Sequence, residues 1–233
     1  AIKLTTKKPV IYDFRSQDVL MGGNGAPLVP LAADLLFSQY DACLNLGGFS
    51  NISLQKNHQR IAFDISPVNV VLNYFDEKLG KNYDENGDFA RNGAINFKIL
   101  EQLNALTFYQ KPAPKSLGVE FVNSEIFPLL KDEIPENIIA TFTEHIAEQI
   151  AKVFNDNQLK TVLVTGGGTF NTYLLEKIRG KSQTELIVPD ENIINFKEAL
   201  IFAFMGVLRL RNEINVLCSA TGSSENHCSG ILV

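Results

Sequence analysis

Two short apolar runs that each break into glycines constrain this chain more than anything else in it. The first is Ala42 to Leu46, followed by Gly47-Gly48, and the second is Thr161 to Thr165, followed by Gly166-Gly167-Gly168. Runs of this length, apolar throughout and bounded by glycine, predict strands buried on both faces. Glycine lets backbone pass close to a neighbour or a ligand with no Cβ in the way. A chain with two such strand ends some 120 residues apart (44 to 164) must bring them together or waste both.

The elements between them set the order. Ser50 to Gln55 alternates, with Ile52 and Leu54 on one side and Ser53 and Gln55 on the other, and Arg60 to Asp64 follows a polar turn at Lys56–His58. With Ala42–Leu46 these make a three-strand meander. Past Pro67 the period becomes helical: Val70, Val71, Tyr74 and Phe75, then Ile95, Ile99, Leu103 and Leu106, separated by a turn at Tyr83–Gly87. Residues 109–137 are rich in proline and predict loop with short helices. Ile138 to Phe154 predicts an amphipathic helix. The last third alternates: strand 161–165, helix 171–178, strand 186–188 and a long apolar helix 196–210. Val10 to Phe14 predicts a further buried strand, and Pro30 to Phe37 a helix. Three antiparallel strands, helices, then strand, helix, strand, helix is the ribonuclease-H-like order. The expected fold is therefore α/β, one lobe of an actin-type ATPase, with a mixed five-stranded sheet and helices on both faces. Residues 1–40 are expected to be a remnant of a first lobe with the hinge, and 41–233 the nucleotide-binding second lobe. The chain opens at Ala1 and runs straight into Val10–Phe14, as though entered partway along a longer protein.

Composition excludes several classes. Net charge is −5 with the signs well mixed, which argues against a nucleic-acid binder. Mean hydropathy is near zero, no apolar run approaches a membrane span, and the start does not read as a signal peptide. Three cysteines, Cys43, Cys218 and Cys228, form no disulfide spacing and point to a reducing cytoplasm. Cys218, His227 and Cys228 lack zinc-finger spacing. There is no Walker loop and no dinucleotide fingerprint. His58 and His145 read as surface or helix-face residues with no role.

Four stretches carry candidate chemistry, each with an ordinary alternative. Gly47-Gly48 forms a phosphate nest or a plain turn. Gly166-Gly167-Gly168 forms a shelf for a purine and ribose beside a helix N-terminus, or a tight strand-to-helix turn that needs fewer glycines. Asp64, at the end of the third strand, is placed as a general base or as a cap for the turn after it. Glu198, opening the last long helix, is a cleft acid or a first-turn acid favoured by the helix dipole.

In order and spacing these stretches resemble the anhydro-N-acetylmuramic acid kinases. The resemblance runs through Asp13-Phe14-Arg15 with Asp18, Gly22 to Pro30, Leu44 to Gly48, Phe63-Asp64, Tyr83-Asp84 with Gly87, Ala90 and Gly93, and Pro114-Lys115-Ser116 with Gly118 and Glu120. It continues through Gly166–Gly168 with Asn171, Glu198-Ala199 with Phe202-Ala203, and Ser219 to Gly222. It implies a two-lobed cytoplasmic kinase of cell-wall recycling, which uses ATP, Mg²⁺ and water to convert 1,6-anhydro-N-acetylmuramic acid to N-acetylmuramic acid 6-phosphate. By the same resemblance Asp64 is the base and Glu198 a second acid facing the sugar. Gly47 and Gly48 hold phosphate, and Gly166, Gly167, Gly168 and Asn171 hold adenosine. Asn69 and Glu120 join Glu198 on the sugar side. No protein residue binds the metal directly; the partner is a small amino sugar, and a homodimer is among the assemblies open to such a protein. The family's Thr-Gly-Pro-Gly-Asn stands here as Ile65-Ser66-Pro67-Val68-Asn69, its Gly-Gln-Gly as Gly23-Asn24-Gly25, and the Arg before Glu120 as Val119. The family's first phosphate loop, Gly-Thr-Ser-x-Asp-Gly, is not among these 233 residues. The alternative is a non-catalytic relative or fragment, serving as a sugar- or nucleotide-binding or interaction module.

Overall fold

The computed structural model describes residues 1–56 and 59–233, with backbone alone for residues 32–34 and 59. Most of the expected turn at Lys56–His58, including His58, lies outside the described residues. The strands are β1 (Ile11–Tyr12), β2 (Ala42–Leu46), β3 (Phe49–Lys56), β4 (Gln59–Pro67), β5 (Thr161–Thr165), β6 (Glu185–Ile187) and β7 (Ile231–Leu232). Five form one sheet in the order β4-β3-β2-β5-β6, while β1 and β7 pair separately. β2, β5 and β6 run parallel, with Leu44 opposite Val164 and Leu163 opposite Ile187. Only two residues separate β2 from β3, and two separate β3 from β4, a connection that only antiparallel neighbours can make. The sheet is therefore mixed, in the ribonuclease-H-like order.

The chain divides into two compact units. The first comprises Ala1–Gln39, Ser53–Ala62 and Phe196–Val233, and the second Tyr40–Ile52 and Phe63–Asn195.

The second unit is built on its parallel strands. Ala42, Cys43, Leu44 and Leu46 of β2 and Val162, Leu163 and Val164 of β5 are all buried, which is why these strands read as unbroken apolar runs rather than alternations. Helix Pro135–Asp156 begins with proline in its first turn, where the missing N–H costs nothing. Helices Asn69–Lys78, Asp88–Asn92, Phe97–Asn104 and Thr172–Arg179 all pack on it. Enclosed in this way, it buries not only Ile139, Phe142, Ile146, Ile150 and Phe154 but also Thr141, Thr143, His145 and Gln149. His145 is thus no surface residue: it is 0% exposed.

In the first unit the expected buried strand at Val10–Phe14 is only the two-residue β1, and Tyr12 is exposed. Asp13 ends it by turning to φ 53°, its carboxylate accepting bonds from the Ser16 amide and hydroxyl at 3.1 and 2.7 Å. The C-terminal segment Ser223–Val233 closes this unit. Val10 and Val233 exchange backbone bonds, Ser229 Oγ donates to the Phe14 carbonyl at 2.8 Å, and Arg209 Nε donates to the Gly230 carbonyl at 2.7 Å. The Asp18 carboxylate, fully buried, accepts from Thr221 Oγ1 at 2.6 Å and from the Gly25 amide at 2.7 Å. The Gly22–Gly25 loop is therefore wrapped around an internal carboxylate. Among the described residues no helix is long and apolar enough to cross a membrane.

Candidate functional site

Parallel pairing of β2 with β5 brings the two glycine turns together. Asn45 lies opposite Thr165, so the strands end side by side and both turns leave from their carboxyl ends, the edge at which α/β sheets receive ligands.

The glycines differ in what they do. Gly166 has φ +89°, and a Cβ there would stand 2.7 Å from the Leu46 carbonyl oxygen. A Cβ on Gly168 would stand 2.9 Å from Leu46 Cβ. Both are glycine because the turn lies on the end of β2. Gly167 is exposed, and the nearest atom to its added Cβ is Asn69 Nδ2 at 3.9 Å. A Cβ on Gly48 would meet nothing within 4 Å. Neither Gly47 nor Gly48 has positive φ, so backbone strain does not demand glycine there. Open backbone is thus presented at two points, Gly48 and Gly167.

Asn69 stands between the turns. It is the first residue of the helix that begins on the Gly47-Gly48 turn. The Val68 and Val70 amides donate to the Gly48 carbonyl at 2.8 and 3.2 Å, and the Asn69 amide donates to the Gly47 carbonyl at 3.3 Å. These bonds take amide donors that a helix start leaves free. The Asn69 Nδ2 donates to the Leu46 carbonyl at 3.5 Å, and its Oδ1 is 3.5 Å from the Cβ position of Gly168.

Asp64 is not at a strand end, as expected from sequence. β4 continues through Ile65, Ser66 and Pro67, because Ser50 of β3 bonds both the Ser66 amide and the Ser66 carbonyl, at 3.1 and 3.0 Å. Strand alternation puts Asp64 and Ser66 on one side of β4. Residues 115–117 lie along this edge. The Asp64 amide donates to the Lys115 carbonyl at 2.9 Å, and the Leu117 amide donates to Asp64 Oδ2 at 2.8 Å. Burial pushes the Asp64 carboxyl up, against the smaller opposing pull of the Leu117 bond. A half-buried carboxyl so raised, with one oxygen anchored, is suited to accept a proton.

Asn171 is held to the second glycine turn, its amide donating to the Gly168 carbonyl at 3.1 Å. Glu120, in the single-turn helix Val119–Phe121, is exposed and folds its carboxylate over Gly118. Asn171 accepts the Leu174 amide at 2.9 Å and so caps helix Thr172–Arg179. Its side chain also fills the space a Cβ would need at Gly87, where φ is +81°. Glu198 belongs to the first unit and is exposed. It does not open its helix, which spans Glu191–Leu210. The start lies earlier because the Asp190 carboxylate accepts the Asn192 and Ile193 amides at 2.9 and 3.2 Å. Glu191 is therefore the first-turn acid, and the dipole gives no reason for Glu198.

Sequence reasoning passed over a buried carboxyl pair. Asp76 is 0% exposed, and its Oδ2 accepts the Asp84 amide at 2.9 Å. The Asp84 carboxylate in turn accepts the Phe89 and Ala90 amides at 2.8 and 3.0 Å, anchoring the loop that carries Gly87. Burial first, and the Asp84 charge second, push the Asp76 carboxyl up to about 7. The signal available was an acid at helical spacing with Leu72 and Phe75, on the buried face.

Among the described residues no group of three or more His, Cys, Asp or Glu side chains is arranged to hold a metal ion. A family model described as anhydro-N-acetylmuramic acid kinase matches residues 1–233. The anhydro-N-acetylmuramic acid kinase of Francisella tularensis subsp. novicida (strain U112) is 33% identical over 233 residues, which is 92% of this chain and 61% of that protein. That of Haemophilus influenzae is 35% identical over 239 residues, 92% of this chain and 63% of its own length. That of Pseudomonas fluorescens is 37% identical over 183 residues, 72% and 50% respectively. The chain thus spans less than two thirds of the length of each.

Proposed function

The chain belongs to the anhydro-N-acetylmuramic acid kinase family, and on that premise we propose that it is the nucleotide-holding part of a sugar kinase acting on 1,6-anhydro-N-acetylmuramic acid. One observation carries the proposal: the open backbone at Gly48 and Gly167, at adjoining ends of parallel strands. Phosphate oxygens can approach both points without meeting a side chain. Adenosine would extend past Gly167 toward Asn171, and Asn69 would face the ligand between the turns. Mg²⁺ would be held by the phosphates, as phosphoryl transfer generally requires. Asp64 would take a proton from the water that attacks C1 of the sugar. The C1–O6 bond breaks, O6 takes the γ-phosphoryl group, and ADP leaves with N-acetylmuramic acid 6-phosphate. Its raised carboxyl supports that role, since a base works best near the operating pH. Glu120 and Glu198 are proposed on the sugar side.

The test is Asp64→Asn. ADP release dependent on the anhydro sugar should vanish while calorimetry still detects ATP binding; turnover retained by the variant would remove Asp64 from the base role. The second reading is a binding module without turnover. It is favoured by Ser66 and Val68 just after Asp64, both buried, where the resemblance leads one to expect glycines. ATP binding by the unaltered protein with no sugar-dependent ADP release would decide for it.

A further inference from the structure

Asp64 is held at two points by a segment with a single side-chain anchor of its own. The Asp64 amide donates to the Lys115 carbonyl at 2.9 Å, and two residues on, the Leu117 amide donates to Asp64 Oδ2 at 2.8 Å. β4 is the edge strand of its sheet, so the fit of residues 115–117 along that edge sets where the carboxylate sits. Among the described residues, Lys115 alone of these three bonds through its side chain. Its Nζ donates to the Phe108 carbonyl at 3.1 Å and lies 4.5 Å from the centre of the Phe108 ring.

Phe108 is a firm anchor. It is 5% exposed, its ring lies 5.5 and 5.4 Å from those of Tyr109 and Phe121, and its carbonyl also accepts the Lys111 amide at 3.2 Å. Phe108 and Phe121 flank the segment in sequence and touch in space, so the chain is fixed in the core on both sides of it. An ammonium is a poor choice at position 115 if packing is its only task. Half-buried, it has no carboxylate partner among the described residues. Burial first, and the Lys152 charge second, pull its pKa down. A methionine would cover the ring without that penalty. What the ammonium adds is a directed donor, and that donor ties Lys115 to Phe108.

We propose that Lys115 is a positioning residue for Asp64: its ammonium, bonded to the Phe108 carbonyl, pins residues 115–117 to the edge of β4 and so keeps the Leu117 amide on the Asp64 carboxylate. The kinetic part of its test rests on the reading of Asp64 as the base; the exchange part does not.

The decisive variant is Lys115→Met, which keeps the stem and removes the donor. Lys115→Arg restores a donor of similar reach. Lys152→Met, which loses an exposed cation paired with Asp156 at 2.7 Å, controls for the change in charge. In Lys115→Met the Leu117 amide should exchange at least about fivefold faster than in wild type, while Lys152→Met leaves it unchanged. Sugar-dependent turnover should fall about tenfold with KM for ATP unchanged, the mark of a displaced catalytic group, and Lys115→Arg should recover to within about threefold of wild type. A folded Lys115→Met with wild-type Leu117 exchange overturns the proposal, and so does faster exchange with full turnover. Should that variant not fold, Lys115→Gln, whose donor is too short to reach the Phe108 carbonyl, takes its place, and unchanged values there overturn it equally. If the unaltered protein shows no turnover, the kinase reading falls, while Leu117 exchange and its recovery in Lys115→Arg still decide whether Lys115 holds the segment.

Discussion

Gly166 and Leu46 touch in a way that admits no side chain: a Cβ on the glycine would lie 2.7 Å from the Leu46 carbonyl oxygen, and φ at Gly166 is +89°. Next to it in sequence, Gly167 faces open ground. Gly166→Ala should therefore cost about 2–3 kcal/mol of stability, since it combines a strained φ with a backbone clash. Gly167→Ala should stay within about 0.5 kcal/mol of wild type. Denaturant unfolding of the two variants checks both, and equal losses would mean that the shelf is structural throughout.

Binding should show the opposite order. Gly167→Val and Gly48→Val put side chains into the space assigned to phosphate. ATP affinity should drop at least tenfold in each, with thermal midpoints changed by no more than about 2 °C. Calorimetric titration decides, and unaltered affinity in both would dismiss the open backbone as the phosphate site.

Asp76 should make the protein less stable as pH rises. Its folded carboxyl titrates near 7, against 3.8 for the ordinary value. Between those values the native state keeps a proton that the unfolded chain has released, so stability is greatest below about pH 4 and is lost as pH climbs through 7. Asp76→Asn removes the ionisation while preserving the acceptor for the Asp84 amide. It should raise stability at pH 8 by on the order of 2 kcal/mol and give no gain at pH 4. Urea midpoints at the two pH values measure this directly.

His145 should act with the opposite sign. Burial lowers its pKa from 6.5 to about 3, so the unfolded chain binds a proton that the folded state refuses. The associated stability is complete above about pH 6.5 and falls away as pH drops toward 3, by up to about 3 kcal/mol near pH 4. His145→Gln should be less stable at neutral pH but flatter across this window. Parallel pH–stability curves for variant and wild type would contradict it.

Glu198→Gln separates function from fold at an exposed position. No dipole or packing role is left for this acid now that its helix starts at Glu191. The melting temperature should not move by more than about 1 °C, while sugar-dependent ADP release should fall at least tenfold. Full activity in the variant would remove Glu198 from the sugar side.

β2 and β5 could be read to the residue because a strand buried on both faces is apolar along its whole length and stops at its glycines. Helix 135–156 was legible as a helix but not as a buried one. Its polar positions Thr141, His145 and Gln149 look like a solvated face until the helices around it are in place. Asp64 misled for a related reason. Ser66 and Pro67 resemble a turn locally, but Ser50, sixteen residues back, pairs with Ser66 and carries the strand through them.

By itself, then, the amino-acid order dictated the strand sequence, the mixed sheet and the presence of two glycine turns, since periodicity and glycine act on residues a few places apart. Folding alone decided which glycines are filled by a neighbour and which stay open, that Asp64 is gripped by Leu117 inside a strand, and that His145 is buried between Asn104 and Tyr109. Those outcomes depend on what lies across the sheet or beside the helix, at separations of 36 to 121 residues for the contacts concerned. No local pattern encodes a distance between two atoms that only packing brings together.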